Sequence, residues 1–408
     1  MIKLPFKITF WRALLAFVWM GGLYALVVRF TQGLGAATNL SDKFPWGLWV
    51  GFDVVTGVGL AAGGFTIAGA VYVLHLKQFY PVLRPAILTA FLGYLLVIVA
   101  LLIDLGHPLR IYHPFLMRNP HSVMFEVAMC VIFYTAVLTL EFSPIVFERL
   151  GWKKPREWLS KVTIPIVILG VILSFLHQSS LGSLYLIMPS KLYPFWYSPM
   201  LPIFFLISAI AAGCSMVILE SHLSFQAFGH RLEINVLRHL GRVLLVLLAL
   251  YLVLKIQDFM TRDIWNLMLL PRMETLVFWL ELLLGIVAPI IMLSIRRIRL
   301  STTGLYVASV FTIAGFLFNR LNVTITGMEA SAGIHYVPSW MEIMVTLAIV
   351  GTMIFLFALV VRYLPIFGIP LNHKSSAAAR SAPLLTPSPQ SAELMSASTP
   401  PYWSKEDC

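Results

Sequence analysis

Ionisable side chains are scarce inside long apolar stretches, which makes Asp53, Asp104, Glu126 and His177 conspicuous in this chain. Asp53 follows Trp46 by seven positions in one apolar stretch, and Asp104 closes the next. Glu126 lies near the start of a third, and the run His177-Gln178-Ser179-Ser180 ends a fourth. Carboxylates and a histidine brought together can hydrogen-bond a carbonyl oxygen and relay protons to it as general acids. A second polar group comprises Lys255 and Asp258, spaced i, i+3, with Glu281 and Arg320. Pairing of Lys255 with Asp258 is the expected arrangement there. A third group, Glu141, Glu220 and His222, lies toward the other ends of its stretches. It could begin a proton path, as Glu281 and Asp258 could, although interfacial solvation explains its members equally well.

The elements that must position these groups follow from composition. Of the 408 residues 59% are apolar and 12% charged, against roughly 45–50% and about 25% in soluble globular proteins. The mean hydropathy of +0.87 agrees. These values exclude a disordered chain, a secreted disulfide scaffold and an ordinary soluble enzyme. They predict an all-α polytopic membrane protein. A span needs about 20 apolar residues, and ten segments qualify: 11–30, 46–76, 83–104, 122–147, 162–177, 200–222, 240–260, 275–295, 301–320 and 340–364. Successive spans run in opposite directions. Asp53, roughly 10 Å into its helix at about 1.5 Å per residue, then falls at the level of Asp104, Glu126 and His177, toward one face. Such a polar cluster suits a quinone, whose two carbonyls need hydrogen bonds and protons. The rival readings are helix ends that merely cap and pair, or a transporter's substrate site. A transporter site usually lies at the midplane between broken helices.

Charge sets the orientation. The connections on one side hold seventeen Lys and Arg, from Lys3, Lys7 and Lys77 through 149–161, 231–238 and 296–299 to the tail. The other side holds six: Lys43, Arg110, Arg118, Lys191, Arg262 and Arg272. This asymmetry predicts both termini in the cytoplasm, and it assigns the net charge of +11 to topology rather than to nucleic acid. The longer outer connections are 31–45, 105–121, 178–199, 261–274 and 321–339. Segment 11–30 is too long for a typical signal core and is expected to be a retained span. Residues 1–370 form the expected transmembrane domain, and the Ser-, Ala- and Pro-rich stretch 371–408 the expected disordered cytoplasmic tail. Gly59 and Gly63 form a GxxxG that lets another helix approach closely. Cys130, Cys214 and Cys408 are too scattered to ligate an iron–sulfur cluster or a structural zinc. None of the ten histidines is expected to lie mid-span, where a pair of haem ligands would sit, so neither haem nor metal is expected.

The run FPWGLWVGFDVVTGVGLAAGGF (Phe44–Phe65) resembles the start of the core of the NrfD/PsrC-type quinone-interacting membrane subunits. Lys43–Gly47, SVMFE (Ser122–Glu126), LEFSPIVFERLGWK (Leu140–Lys153) and HQSSLGSL (His177–Leu184) are similar to the hydrogenase-linked, HybB-like branch of that family. The stretch Tyr336–Glu342 extends the likeness, which runs to about Pro370. It implies ten helices with two four-helix bundles at the core, and a menaquinone or ubiquinone site near the outer face. It also implies a bacterial inner-membrane complex with a periplasmic ferredoxin-like iron–sulfur subunit and hydrogenase small and large subunits. The same module in a polysulfide, nitrite or menaquinone reductase complex is the alternative. Asp53, Glu126 and His177 are expected to line the headgroup pocket, with Trp46, Asp104, His107, Arg110, Gln178 and Ser180 around it. One departure concerns Asp104-Leu105-Gly106-His107, where relatives often carry Asp-x-Gly-Arg. A titratable His107 then replaces a fixed cation, for which Arg110 is a candidate substitute.

Overall fold

A computed structural model of the protein describes residues 9–229 and 232–367; the tail 371–408 lies outside the described residues. Among the described residues ten helices are long and apolar enough to cross a membrane, and the chain is an all-α, multi-pass membrane protein. They are α1 (Phe10–Gln32), α2 (Trp49–Val73), α3 (Lys77–Asp104), α4 (Val123–Leu150) and α5 (Lys153–Leu186), followed by α6 (Leu201–Phe228), α7 (Ile234–Arg262), α8 (Met273–Ser294), α9 (Thr302–Ala332) and α10 (Trp340–Tyr363). The face where α1 ends and α2 begins is called outer, after the charge asymmetry.

Two helices run well past their expected outer ends. α5 was expected to stop at 177 but continues to Leu186. Its serines turn their hydroxyls onto the preceding turn, Ser179 to Phe175 O, Ser180 to Leu176 O and Ser183 to Ser179 O, so the polar run stays helical. α9 was expected to stop at 320 but passes through a π-helical turn, Asn322–Thr326, and ends at Ala332. Its polar residues Asn319, Arg320, Asn322 and Thr324 are buried against other helices, which a hydropathy window scores as loop.

Helices α2, α3, α4 and α5 pack on one another, as do α6, α7, α8 and α9, giving two four-helix bundles. α1 lies along α10, and α10 rests on α2 and α3. The bundles meet where α2 touches α6 and α9. There a Cβ on Gly213 of α6 would come within 2.6 Å of the Gly63 backbone of α2, so only glycine permits this approach. Gly59, the other member of the GxxxG, faces the ring of Phe316 on α9.

At the outer face two polar clasps tie the peripheral helices to the first bundle. Arg29 of α1 donates from Nε to Ile103 O (2.8 Å) and from Nη2 to Leu105 O (2.6 Å), capping the end of α3 around Asp104. Glu342, in the first turn of α10, accepts from the backbone N–H of Asn39 and of Ser339 and from the Tyr336 hydroxyl. Burial and the bond to Glu342 push the Tyr336 phenol well above its ordinary pKa. It therefore stays protonated while accepting from Leu48 N at 3.0 Å.

Candidate functional site

A cavity of about 530 Å³ lies between α3 and α4 under the connection that joins them. Its walls are apolar, with Ile98 and Leu101 from α3 and Val127, Ala128 and Val131 from α4. His107, Arg110, His113 and Asn119 of the connection form its polar outer margin. Val54 of α2 and His177 of α5 close it on the inside. His177 is completely buried, and neither ring nitrogen has a hydrogen-bond partner in the protein. Leaving a buried polar group unpaired costs about 1–3 kcal/mol, so a fold keeps one where water or a ligand completes it. The imidazole sits edge-on to Tyr94, with centroids 5.7 Å apart, and Tyr94 in turn contacts Tyr134 at 4.7 Å. The Tyr134 and Ser174 hydroxyls are also buried and have no protein partner other than each other. Gln178 donates to Val58 O at 3.2 Å and leaves its own carbonyl oxygen unpaired. Ser180 is turned onto Leu176 O and takes no part in the cavity wall.

The sequence placed Asp53, Asp104, Glu126 and His177 at one level, and that expectation is corrected. Because α5 continues to Leu186, His177 lies nine residues, about 13 Å, from its outer end. Asp53 is four residues into α2 and Glu126 three into α4, about 6 Å and 5 Å respectively. His177 thus lies within its span, against the expectation that no histidine does. The structure brings His177, His107 and Arg110 to the same cavity, whereas Asp53 and Glu126 do not line it. Asp53 sits in the π-helical turn Trp49–Thr56, where Thr346 of α10 donates to its Oδ2 at 2.7 Å and Oδ1 is unpaired. Its neighbour Val54 is the residue that reaches the cavity. Glu126 is half-buried beside the lining residues Phe125 and Val127. Trp46 packs edge-on to Tyr185, at 5.8 Å. The cation beside Asp104 is Arg29, which interacts with it electrostatically, and Arg110 lies with His107 at the cavity margin.

On the inner side a second cavity, of about 180 Å³, is lined by Tyr72, Arg84, Glu141, Glu148, Arg156 and Ser160. Arg84 and Arg156 both contact Glu148, at 2.9 and 3.5 Å. Between this cavity and His177 the facing surfaces of α4 and α5 carry Glu141 and Tyr134, two turns apart, and Ser174 and His177, one turn apart. Gly170 keeps that stripe open, since a Cβ there would meet Glu141 Oε1 at 3.3 Å. Tyr94, Tyr134 and Ser174 escaped the sequence reading because aromatic and serine residues pass for ordinary packing. The legible signal was spacing, seven residues from Tyr134 to Glu141 and three from Ser174 to His177.

The remaining candidates belong elsewhere. Glu220 bridges α6 to Thr89 of α3. Glu281 accepts from Trp196 Nε1 (2.9 Å), Asn319 Nδ2 (2.7 Å) and Asn322 Nδ2 (2.8 Å). Asp258 pairs with Arg262, not with Lys255 as expected, and also accepts from Ser198 at 2.6 Å. The i, i+4 position of Arg262 suits this pairing, while Lys255 donates to Phe195 O and lies over the rings of Phe204, Phe259 and Phe278. Among the described residues no group of three or more His, Cys, Asp and Glu is disposed to hold a metal ion.

A family model described as polysulphide reductase, NrfD, matches residues 36–332. The chain is 40% identical over 356 residues to a protein of Nitratidesulfovibrio vulgaris, covering 85% of this chain and 91% of that one. It is 35% identical over 347 residues to the probable Ni/Fe-hydrogenase 2 b-type cytochrome subunit of Escherichia coli, covering 84% and 88%. It is 29% identical over 395 residues to the menaquinone reductase integral membrane subunit of Nitratidesulfovibrio vulgaris, covering 88% and 92%.

Proposed function

Since the chain belongs to the NrfD family of polysulphide reductase membrane subunits, we propose that it is the quinone-binding membrane subunit of a hydrogenase-type respiratory complex. The observation that carries this reading is His177, buried and unpaired at the inner end of an apolar cavity. A bound menaquinone or ubiquinone would supply the electron-accepting chemistry, taking two electrons and two protons. The protein's part is to orient and to move protons. His177 holds one carbonyl oxygen through a ring nitrogen, and the apolar walls exclude water from the ring. His107 and Arg110, at the outer margin, are within the same cavity to meet the second oxygen. Asp53, one residue from the lining Val54 and with a free Oδ1, is a proton-holding group behind it.

Proton supply from the inner side would run along the α4–α5 stripe, from Glu141 past Tyr134 and Ser174 to His177. The adjacent Tyr134 and Ser174 hydroxyls, with no other protein partner, suit water-linked transfer. Glu281 and Asp258 are fully engaged in the other bundle and are assigned no proton role. Glu220, with a single hydrogen bond, is a candidate reserve between the bundles. Electrons would arrive from a ferredoxin-like iron–sulfur subunit on the outer, periplasmic side, itself fed by hydrogenase small and large subunits. This places the chain in a bacterial inner membrane with both termini cytoplasmic.

Although the Escherichia coli relative is named a b-type cytochrome subunit, we infer no haem here. His177 is the only fully buried histidine among the described residues, and its neighbours are Tyr94, Tyr134 and Ser174. A bis-histidine haem needs a second axial imidazole facing the first. A second reading, the same module in a menaquinone or other reductase complex, is favoured by the relative of that name.

The test is to isolate the protein with its associated subunits and to compare His177→Ala and Asp53→Asn with wild type. Quinone reduction should fall about 10²-fold for a lost acid or carbonyl partner, while hydrogen oxidation with a soluble dye stays normal. Wild-type quinone rates in both variants would overturn the site. The co-purifying subunits separate the hydrogenase reading from the reductase reading.

A further inference from the structure

The cavity at His177 also shows how its ligand would arrive, an inference that rests on the quinone reading above. Its volume falls within the range of about 300–1,000 Å³ that encloses a whole drug-sized ligand, more than a single quinone ring requires. The lining grades from buried at Val54, Val131 and His177 to exposed at Met117 and Met124. Both exposed residues are apolar, and they sit where α3 and α4 part beneath their connection. That connection carries Leu109 and Leu116, 88% and 72% exposed, beside Met117 at 71%. Beside the polar margin of His107, Arg110, His113 and Asn119, this apolar edge at the outer end of two spans belongs against lipid rather than water. Flanking it, Val99 of α3 and Phe133 of α4 are exposed as lipid-facing residues are. Methionine is unbranched and adaptable, which suits a rim that must yield to a passing ligand.

We propose that quinone reaches His177 sideways from the outer leaflet, through a slot between α3 and α4 rimmed by Met117 and Met124. The first prenyl units of its tail then stay in the slot against Leu101 and Ala128. The slot is thus both the route in and the site that favours a long-tailed quinone over a short one.

In the isolated complex, Ala128→Trp narrows the slot. Reduction of a long-tailed quinone should fall about tenfold or more, the usual scale of overpacking, and this loss should exceed by at least about threefold any loss seen with a quinone bearing only a short alkyl chain; equal proportional losses would overturn the slot. Val99→Trp, on the lipid face outside the slot, should change neither rate. Equal rates for the long-tailed quinone in wild type and Ala128→Trp would overturn the slot. If Ala128→Trp fails to assemble, a photoreactive long-tailed quinone applied to wild type decides. Label on the peptides holding Leu101, Met124 and Ala128 supports the slot, and label confined to other helices overturns it. A wrong slot leaves His177→Ala impaired with the short quinone. A wrong quinone reading leaves His177→Ala unimpaired with both, which overturns slot and site together.

Discussion

The two four-helix bundles differ in how they bury polar groups, although Glu220 Oε1 and Arg320 Nε of the second also lack partners. In the second, α6–α9, Glu281 is held by three donors and Asp258 by Arg262 and Ser198. The adjoining space is only about 30 Å³. In the first, α2–α5, the buried set is lighter in charge, yet both His177 nitrogens and Gln178 Oε1 lack partners. Cavities of about 530 and 180 Å³ lie at its two ends. A buried charge by itself is therefore poor evidence of chemistry in this protein. Unmet hydrogen-bonding capacity next to room is the better guide, because the fold would otherwise have no reason to retain it.

Each bundle offers substitutions that test the contrast. The largest loss is expected from Glu281→Ala, which strands three buried donors at about 1–3 kcal/mol each. Thermal unfolding in detergent should show a collapsed midpoint or no assembled protein; a midpoint near wild type would mean that the second network is dispensable. Next, Arg262→Met should cost about 1–3 kcal/mol, a buried ion-pair loss reduced by partial exposure. Lys255→Met should cost less than about 1 kcal/mol, since it forfeits one carbonyl bond and ring contacts. Equal losses would restore Lys255 as the partner of Asp258. The smallest effect on stability, and a selective one on rate, is expected from Glu141→Gln. It keeps the shape but removes a titratable proton, so quinone reduction should slow about tenfold or more with unfolding unchanged. Unaltered steady-state rates would exclude the α4–α5 stripe as the proton supply.

Ten spans were legible because hydropathy over about 20 residues is dictated by the bilayer. The ends of α5 and α9 were not. Serine hydroxyls folded back on α5, and the buried Asn319, Arg320 and Asn322 of α9, read as loop until their partners are known. Asp53, Asp104, Glu126 and His177 were legible as exceptional residues, but their grouping was not. A one-dimensional depth estimate cannot tell which face of a helix a side chain takes. The π-helical turn at Trp49–Thr56 carries Asp53 toward Thr346 of α10 while Val54 meets the cavity. Arg29 was invisible as the cap of α3, because α1 is separated from that end by more than seventy residues in sequence.

The central claim is that His177 is kept for a ligand at a cost to the fold, and His177→Leu tests it by two readouts on one preparation. Leucine removes both unpaired nitrogens and leaves an apolar side chain of similar size. The account predicts an unfolding midpoint equal to or above wild type, because an unpaired buried polar group is lost. It predicts with this a fall of about 10²-fold in quinone reduction and normal hydrogen oxidation with a soluble dye. A lowered midpoint with quinone reduction intact would contradict it and make His177 a packing residue.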